Sequence, residues 1–214
     1  MDYSYTIRRS IVTINRRMID QGFICSSDGN VSARIDENRI LITPAGVYKL
    51  NVSPEMIVLV DNDGNVIESR MGYAPSSELP LHLEAYRRRP DAQAVIHAHP
   101  PYSLALTLAG LPFPADIMPE AAEGLCQVPV AHYAKPGTKE VAASIAGLIE
   151  EFDTVLLDHH GSITVGKTLD QALMTLERVE FVARVYHLAH AYGGVRPLPP
   201  REVDRLSELY YAKR

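Results

Sequence analysis

Two hairpin signals early in the chain constrain its fold more than any other feature. Val31–Ile35 and Arg39–Ile42 are short strand-like runs around Asp36-Glu37-Asn38, and Ile57–Val60 and Val66–Glu68 flank Asp61-Asn62-Asp63-Gly64. Strand residues separated by tight Asn/Asp/Gly turns fold back antiparallel. Helical patterns surround them. Ile7, Ile11, Ile14 and Met18 recur at helix spacing before Gly22, and Leu79–Arg89 reads as a helix with Pro80 tolerated in its first turn. Tyr102–Ala109 is a short helix stopped by Gly110, and a helix from about Lys139 to Phe152 takes Thr138 as its N-cap. Thr168 and Gln171 form a capping-box pattern opening a long helix, from Leu169 to about Ala191, that Gly193-Gly194 end. Ala94–Ala98, Val128–His132, "TVLL" and "SITV" are further strands, and "REVDRLSELYYAKR" is a C-terminal helix. No repeat or composition break divides the chain. The expectation is one α/β domain over residues 1–214, a mostly antiparallel sheet with helices packed on it.

Charge and apolar content narrow the function class. The formal net charge is −5, and the Arg87-Arg88-Arg89 cluster falls at a helix end, where cations suit the dipole. Neither suggests a nucleic-acid partner. No apolar run approaches the roughly 20 residues that span a bilayer, and the N-terminal stretch lacks the apolar core of a secretory signal. Cys25 and Cys126 have no metal-type spacing, which fits reduced thiols in a cytoplasmic protein.

The chemistry-bearing residues cluster in a few short stretches. "AVIHAHPP" puts His97 and His99 two residues apart at the end of an apolar strand. Side chains at i and i+2 share a face, so both imidazoles can bind one metal ion. "LLDHHG" puts His159 and His160 at the end of another apolar strand. Strand neighbours alternate, so one of them can join the first pair. His160, beside the Gly161 turn, is the candidate ligand, and His159 is assigned a structural role or one of supporting the ligands from behind. "PSSE", Pro75 to Glu78, precedes a helix, so the Ser76 and Ser77 hydroxyls lie near exposed N–H groups that suit an anion. Gly29-Asn30 in "SSDGNVSAR" and Gly46 in "TPAG" belong to small-residue loops after which strands begin or end.

Taken in order, "GNVSAR", "ITPAG", "PSSE", "PDAQAVIHAHP" and "LLDHHG" resemble the class II aldolase/adducin-head family over nearly the whole chain. The resemblance implies a single three-layer α/β/α domain with a mostly antiparallel central sheet, assembled as a four-fold homotetramer. It implies a Zn²⁺ ion, or another divalent metal, held by His97, His99 and His160. Glu78 would be the acid/base and a ligand of the resting metal, with burial bringing its pKa nearer neutrality than that of a free glutamate. A substrate phosphate would be held by Asn30, Gly46, Ser76 and Ser77, with Ser27 helping and Ala45 standing where relatives have a hydroxyl. No lysine falls within these motifs. The implied activity is aldol cleavage of a short ketose 1-phosphate to dihydroxyacetone phosphate and an aldehyde. The ketose would be of the fuculose, 5-deoxyribulose or 5-methylthioribulose type.

One end of the site departs from the family pattern. The family's aldehyde-side tyrosine is replaced by Met118, with Glu120 and Glu123 the nearest ionisable groups. A C-terminal family tyrosine that reaches a neighbouring subunit matches Tyr210 or Tyr211. Pentulose-phosphate 4-epimerase, decarboxylase and dehydratase chemistries use the same metal frame and stay open as alternatives. A non-catalytic adducin-like interaction domain would lack the metal ligands, and all of them are present here.

Overall fold

The computed structural model describes residues 3–212. Helix α1 (Tyr3–Asp20) leads into β1 (Asn30–Asp36) and β2 (Arg39–Ile42), then β3 (Val58–Asp61) and β4 (Val66–Glu68). Helix α2 (Leu79–Arg88), β5 (Ala94–Ala98), α3 (Pro101–Leu108), α4 (Pro119–Gly124) and β6 (Val130–Ala131) follow. The chain ends with α5 (Lys139–Glu151), β7 (Thr154–Leu157), β8 (Gly161–Gly166), α6 (Leu169–His190) and α7 (Pro200–Ala212). All strands join one eight-stranded sheet in the order β4-β3-β2-β1-β5-β8-β7-β6. Every adjacent pair is antiparallel except β6 with β7. Both hairpins form as expected.

Alternating side chains build two cores from single strands. Leu41, Ala94 and Ile96 pack with Ile11, Met18 and Leu173 on one face. Ile40, Ile42 and Val95 pack with Leu81, Ala85 and Ile145 on the other. Helices α1 and α6 thus cover one face, and α2 and α5 cover the other. Strands buried on both faces read as unbroken apolar runs, which is why "RILI" and "AVI" show no polar alternation. A third cluster, with Leu106, Phe113, Leu125 and Val179, lies beneath α3, α4 and α6.

Local chemistry explains where expectation and structure differ. The strand expected over Val128–His132 is confined to Val130–Ala131. Pro129 has no N–H to give, although its carbonyl accepts from Leu156 N–H at 2.8 Å. Helix α4 lay hidden in the proline-rich crossing, and Pro119 occupies its first turn, where a missing N–H costs nothing. Thr138 stands at the N-cap position, but its hydroxyl donates to the Lys135 carbonyl at 2.7 Å instead of capping. The capping box of α6 forms: Thr168 Oγ1 accepts from Gln171 N–H at 3.1 Å, and Gln171 Oε1 accepts from Lys167 N–H at 3.0 Å. The last two residues of the expected C-terminal helix lie outside the described residues.

Candidate active site and metal centre

Antiparallel pairing gathers the candidate residues at one end of the sheet. Asn30 opens β1 directly opposite His97 near the end of β5. The β7–β8 turn carries His160 to the same end, since Ala98 pairs with Ser162. The loop after β2 joins the loop before α2 through a Pro44–Pro75 bridge, with Ala45 N–H donating to the Ala74 carbonyl at 3.0 Å. Ser76 N–H donates to the Thr43 carbonyl at 3.1 Å. "TPAG" and "PSSE" therefore lie side by side.

The three histidines converge. Ring centroids are 4.9 Å apart for His97 and His99, 4.7 Å for His97 and His160, and 5.1 Å for His99 and His160. One candidate ligand nitrogen from each lies within 4.8 Å of the others. Strand β5 ends at Ala98, and His99 N–H turns away to the Phe23 carbonyl at 2.8 Å, yet the i, i+2 relation still places both rings together. His160 reaches the cluster for a reason other than strand alternation. Residues 158–160 form a tight turn, and His159 sits at φ +57°, which sends its ring to solvent. Gly161 is demanded by contact: a Cβ there would stand 2.2 Å from the Ala98 carbonyl oxygen and 2.8 Å from His99 Cδ2.

Glu78 caps the cluster. Its Oε2 lies 2.8 Å from His97 Nε2, and its Oε1 lies 3.4 Å from His160 Nε2. The carboxyl does not move toward neutrality. Burial pushes its pKa up, but the charge and hydrogen bond of His97, then His160 and the Asn30 amide, outweigh burial and hold it well below the usual carboxylate range. Its neighbours are imidazoles and an amide donor rather than apolar walls. His99 and His160 are held down to about 4 each, by burial first and then by His97. His99 and His160 thus offer neutral nitrogens beside a carboxylate, the state in which they can bind a divalent ion.

Two further observations fit a metal. His97 Nδ1–H donates to the Ser162 carbonyl at 2.9 Å, which turns its Nε2 toward His99 Nε2 at 3.0 Å and Glu78 Oε2 at 2.8 Å. Glu78 Oε1 and His160 Nδ1 are buried without a hydrogen-bond partner. An all-N/O donor set of three imidazoles and a carboxylate matches zinc or a similar divalent ion.

Residues 9–187 match the family model described as Class II Aldolase and Adducin N-terminal domain. The chain belongs to this family. It is 33% identical over 205 residues to the 5-deoxy-D-ribulose 1-phosphate aldolase of Bacillus thuringiensis serovar kurstaki, covering 95% of this chain and 94% of that one. It is 35% identical over 196 residues to the L-fuculose phosphate aldolase of Haemophilus influenzae, covering 92% and 89%. A solved L-fuculose 1-phosphate aldolase superimposes with a TM-score of 0.87 at 31% identity, covering 96% of both chains. Class II aldolases are metal-dependent, and this chain has a cluster of three histidines that could hold a metal ion.

In this class II aldolase the loops expected to hold phosphate border the cluster. Ser76 is buried and its Oγ accepts from Glu78 N–H at 3.3 Å, while Ser77 and Ser27 are exposed. Gly46 has φ +67° and open space where a Cβ would stand. Asn30 is 3% exposed and gives its amide nitrogen to Glu78 Oε2 at 3.2 Å. The aldehyde-end candidates lie elsewhere in the chain. Met118 packs against the third core cluster, and Tyr211 is exposed. Glu120 and Tyr210 line a cavity of about 390 Å³ with Arg89, Lys167 and Arg178.

The structure adds residues that the motifs did not point to. Lys49, three places beyond Gly46, is 2% exposed and interacts with Asp28 and Glu78. Burial holds its ammonium down to about 8 against the raising charges of those carboxylates. Glu180 on α6 caps α3 immediately after the His97–His99 segment, through Tyr102 N–H at 2.8 Å and Ser103 N–H at 2.9 Å. His82, one helical turn beyond Glu78, connects to Asn30. Its i, i+4 spacing from Glu78 was the only sequence signal for any of them.

Proposed function

We propose that the protein is a zinc-dependent aldolase that reversibly cleaves a short ketose 1-phosphate to dihydroxyacetone phosphate and an aldehyde. The observation that carries this reading is the Glu78 carboxylate set against His97 and His160 within a three-histidine cluster. A zinc ion held by His97, His99 and His160, with Glu78 as a further ligand at rest, supplies a Lewis acid that stabilises negative charge on substrate oxygens.

The chain's own groups bind, orient and move protons. Asn30, Gly46, Ser76, Ser77 and Ser27 are assigned to the phosphate, with Lys49 as the adjacent cation. Binding there fixes the reacting carbons far from the phosphate. In cleavage, the C3–C4 bond breaks with its electron pair left on C3, and Glu78, after taking up a proton from solvent, passes that proton to C3 and returns to the carboxylate. The C4 hydroxyl gives up its proton as C4 becomes the aldehyde carbon. In condensation, the Glu78 carboxylate removes the C3 proton, and the anionic state of Glu78 suits that direction.

The aldehyde-side proton is assigned to a neighbouring copy in a homotetramer, through Tyr210 or Tyr211, with Glu120 as the other ionisable candidate. Exposure of Tyr211, and of Met174, Phe181 and Leu188 along α6, supports an assembly that covers these faces. The relative named for 5-deoxy-D-ribulose 1-phosphate favours a 5-deoxy or methylthio tail at the aldehyde end. One continuous sheet supports reading residues 1–214 as one catalytic domain. Two free cysteines support a reducing, cytoplasmic setting. Among the described residues no helix is long and apolar enough to cross a membrane.

The test is to supply the zinc-loaded protein with dihydroxyacetone phosphate and a panel of short aldehydes. Carbon–carbon bond formation is expected, with acetaldehyde-type acceptors ahead of hydroxylated ones. No product from any aldehyde would overturn the aldolase reading.

A further inference from the structure

Behind Glu78 a chain of buried polar groups runs into the core between α2 and β1. Tyr86 Oη lies 2.9 Å from Ser32 Oγ, and Ser32 Oγ lies 2.6 Å from His82 Nδ1. His82 Nε2 lies 2.5 Å from Asn30 Oδ1, and Asn30 Nδ2 lies 3.2 Å from Glu78 Oε2. Ser32 and His82 are fully buried, and Tyr86 and Asn30 are 2% and 3% exposed. Glu78, His82 and Tyr86 recur every four residues, so the same face of the helical segment carries all three.

Donor and acceptor capacity gives this chain one direction. Glu78 is an anion and only accepts, so Asn30 must present its amide nitrogen to it. The Asn30 oxygen then faces His82, which must donate from Nε2. A neutral imidazole with hydrogen on Nε2 accepts at Nδ1, so the Ser32 hydroxyl donates there. That spends the only Ser32 hydrogen, and Tyr86 O–H therefore donates to Ser32 Oγ. Burial holds His82 down to about 3, so the ring is neutral and its tautomer is the variable that matters.

We propose that His82 is a positioning residue: as the Nε2–H tautomer set by Ser32, it locks the Asn30 amide with nitrogen toward Glu78 and toward the bound substrate. A rotated amide would set an oxygen against the carboxylate and would turn an acceptor toward the phosphate. The carboxylate would then swing from its place over His97 and His160. This inference rests on the reading of Glu78 as acid/base and Asn30 as a phosphate contact. Its structural half, the tautomer, stands apart from turnover.

The test combines imidazole ¹⁵N NMR with kinetics on metal-loaded protein. The wild type is expected to show His82 with Nε2 protonated and Nδ1 bare. Ser32→Ala is expected to give a tautomer mixture and a kcat lower by about tenfold, with one metal ion per chain retained. His82→Leu is expected to lower kcat by about 10- to 100-fold, and His82→Gln, which keeps a donor at the ε position, to recover most of it. An Nδ1–H tautomer in the wild type overturns the proposal, as does unchanged kcat in folded, metal-loaded Ser32→Ala. If His82→Leu does not fold, the wild-type tautomer and Ser32→Ala still decide. The expected tautomer in a protein without aldol turnover would fail the functional reading alone.

Discussion

Glu180→Ala should destabilise the protein and loosen its metal together. Helix α3 starts right after His99-Pro100, and its N-cap, Pro100, has no side-chain cap bond. The first two N–H groups of α3 after Pro101, on Tyr102 and Ser103, both end on the Glu180 carboxylate, and the Ser103 hydroxyl donates to it at 2.7 Å. Truncation to alanine orphans both N–H groups, while the Ser103 hydroxyl keeps the Pro100 carbonyl at 3.4 Å as an acceptor. Ser103 is fully buried, so its N–H finds no water, whereas Tyr102 is half-buried. Each buried unsatisfied donor costs about 1–3 kcal/mol. Against this, removing the carboxylate relieves the burial that pushes its pKa up, a rise the Tyr102 and Ser103 hydrogen bonds only partly counter. The net loss is about 2–5 kcal/mol. For a chain of this size that lowers Tm by roughly 5–15 °C. A frayed α3 start frees the segment holding His99, so metal affinity should fall by roughly 10-fold or more. Thermal unfolding and metal titration of the same preparation check both effects. A Tm within 1 °C of wild type with unchanged metal affinity would refute the reasoning.

Glu78→Gln should keep the metal, which three histidines still hold, while turnover falls by about 10²- to 10⁴-fold; metal analysis beside an aldol assay separates the two. Protons should compete with the metal for His99 and His160 only as pH drops toward about 4, so the loss of metal that these two ligands cause is expected there. Ordinary imidazoles would begin to release metal near pH 6.5, which a metal titration against pH distinguishes. The same depressed values mean that the unfolded chain binds more protons between about 6.5 and 4, so metal-free stability should decline across that window as pH falls. Gly161→Ala forces a Cβ to 2.2 Å from the Ala98 carbonyl oxygen, so β5 and β8 must part. A loss of about 1–3 kcal/mol with weakened metal binding is expected from denaturant unfolding and metal content.

The parts of the site set by local pattern were legible in the sequence. His97 and His99 follow from a strand end and a two-residue spacing. Glu78 and the serines follow from a helix start, and both hairpins follow from their turns. His160 lies beside His97 and His99, but what puts it there is the turn that throws His159 outward, which alternation along a strand does not describe. Glu180 and Lys49 were not legible. Glu180 meets Ser103 across 77 positions, and Lys49 is held against the loop before β1, where its N–H donates to the Ser26 carbonyl at 2.9 Å, far in sequence from Glu78. The Glu78-His82-Tyr86 repeat was visible, yet any amphipathic helix shows such a repeat. Only its pairing with Ser32 and Asn30 on β1 gives it a role. The pKa of Glu78 lies below expectation because burial is only one of the influences on it, and the imidazoles beside it act in the opposite sense.

The central claim is that His97, His99 and His160 hold the ion on which carbon–carbon cleavage depends. The direct measurement follows aldehyde release from a 5-deoxyribulose 1-phosphate-type substrate by the purified protein, by the same protein after chelation, and after zinc is restored, with metal content recorded at each stage. One zinc ion per chain, activity lost on chelation and regained with zinc, and neither metal nor activity in His160→Ala are the predicted results. Undiminished aldehyde release from metal-free protein would contradict the account.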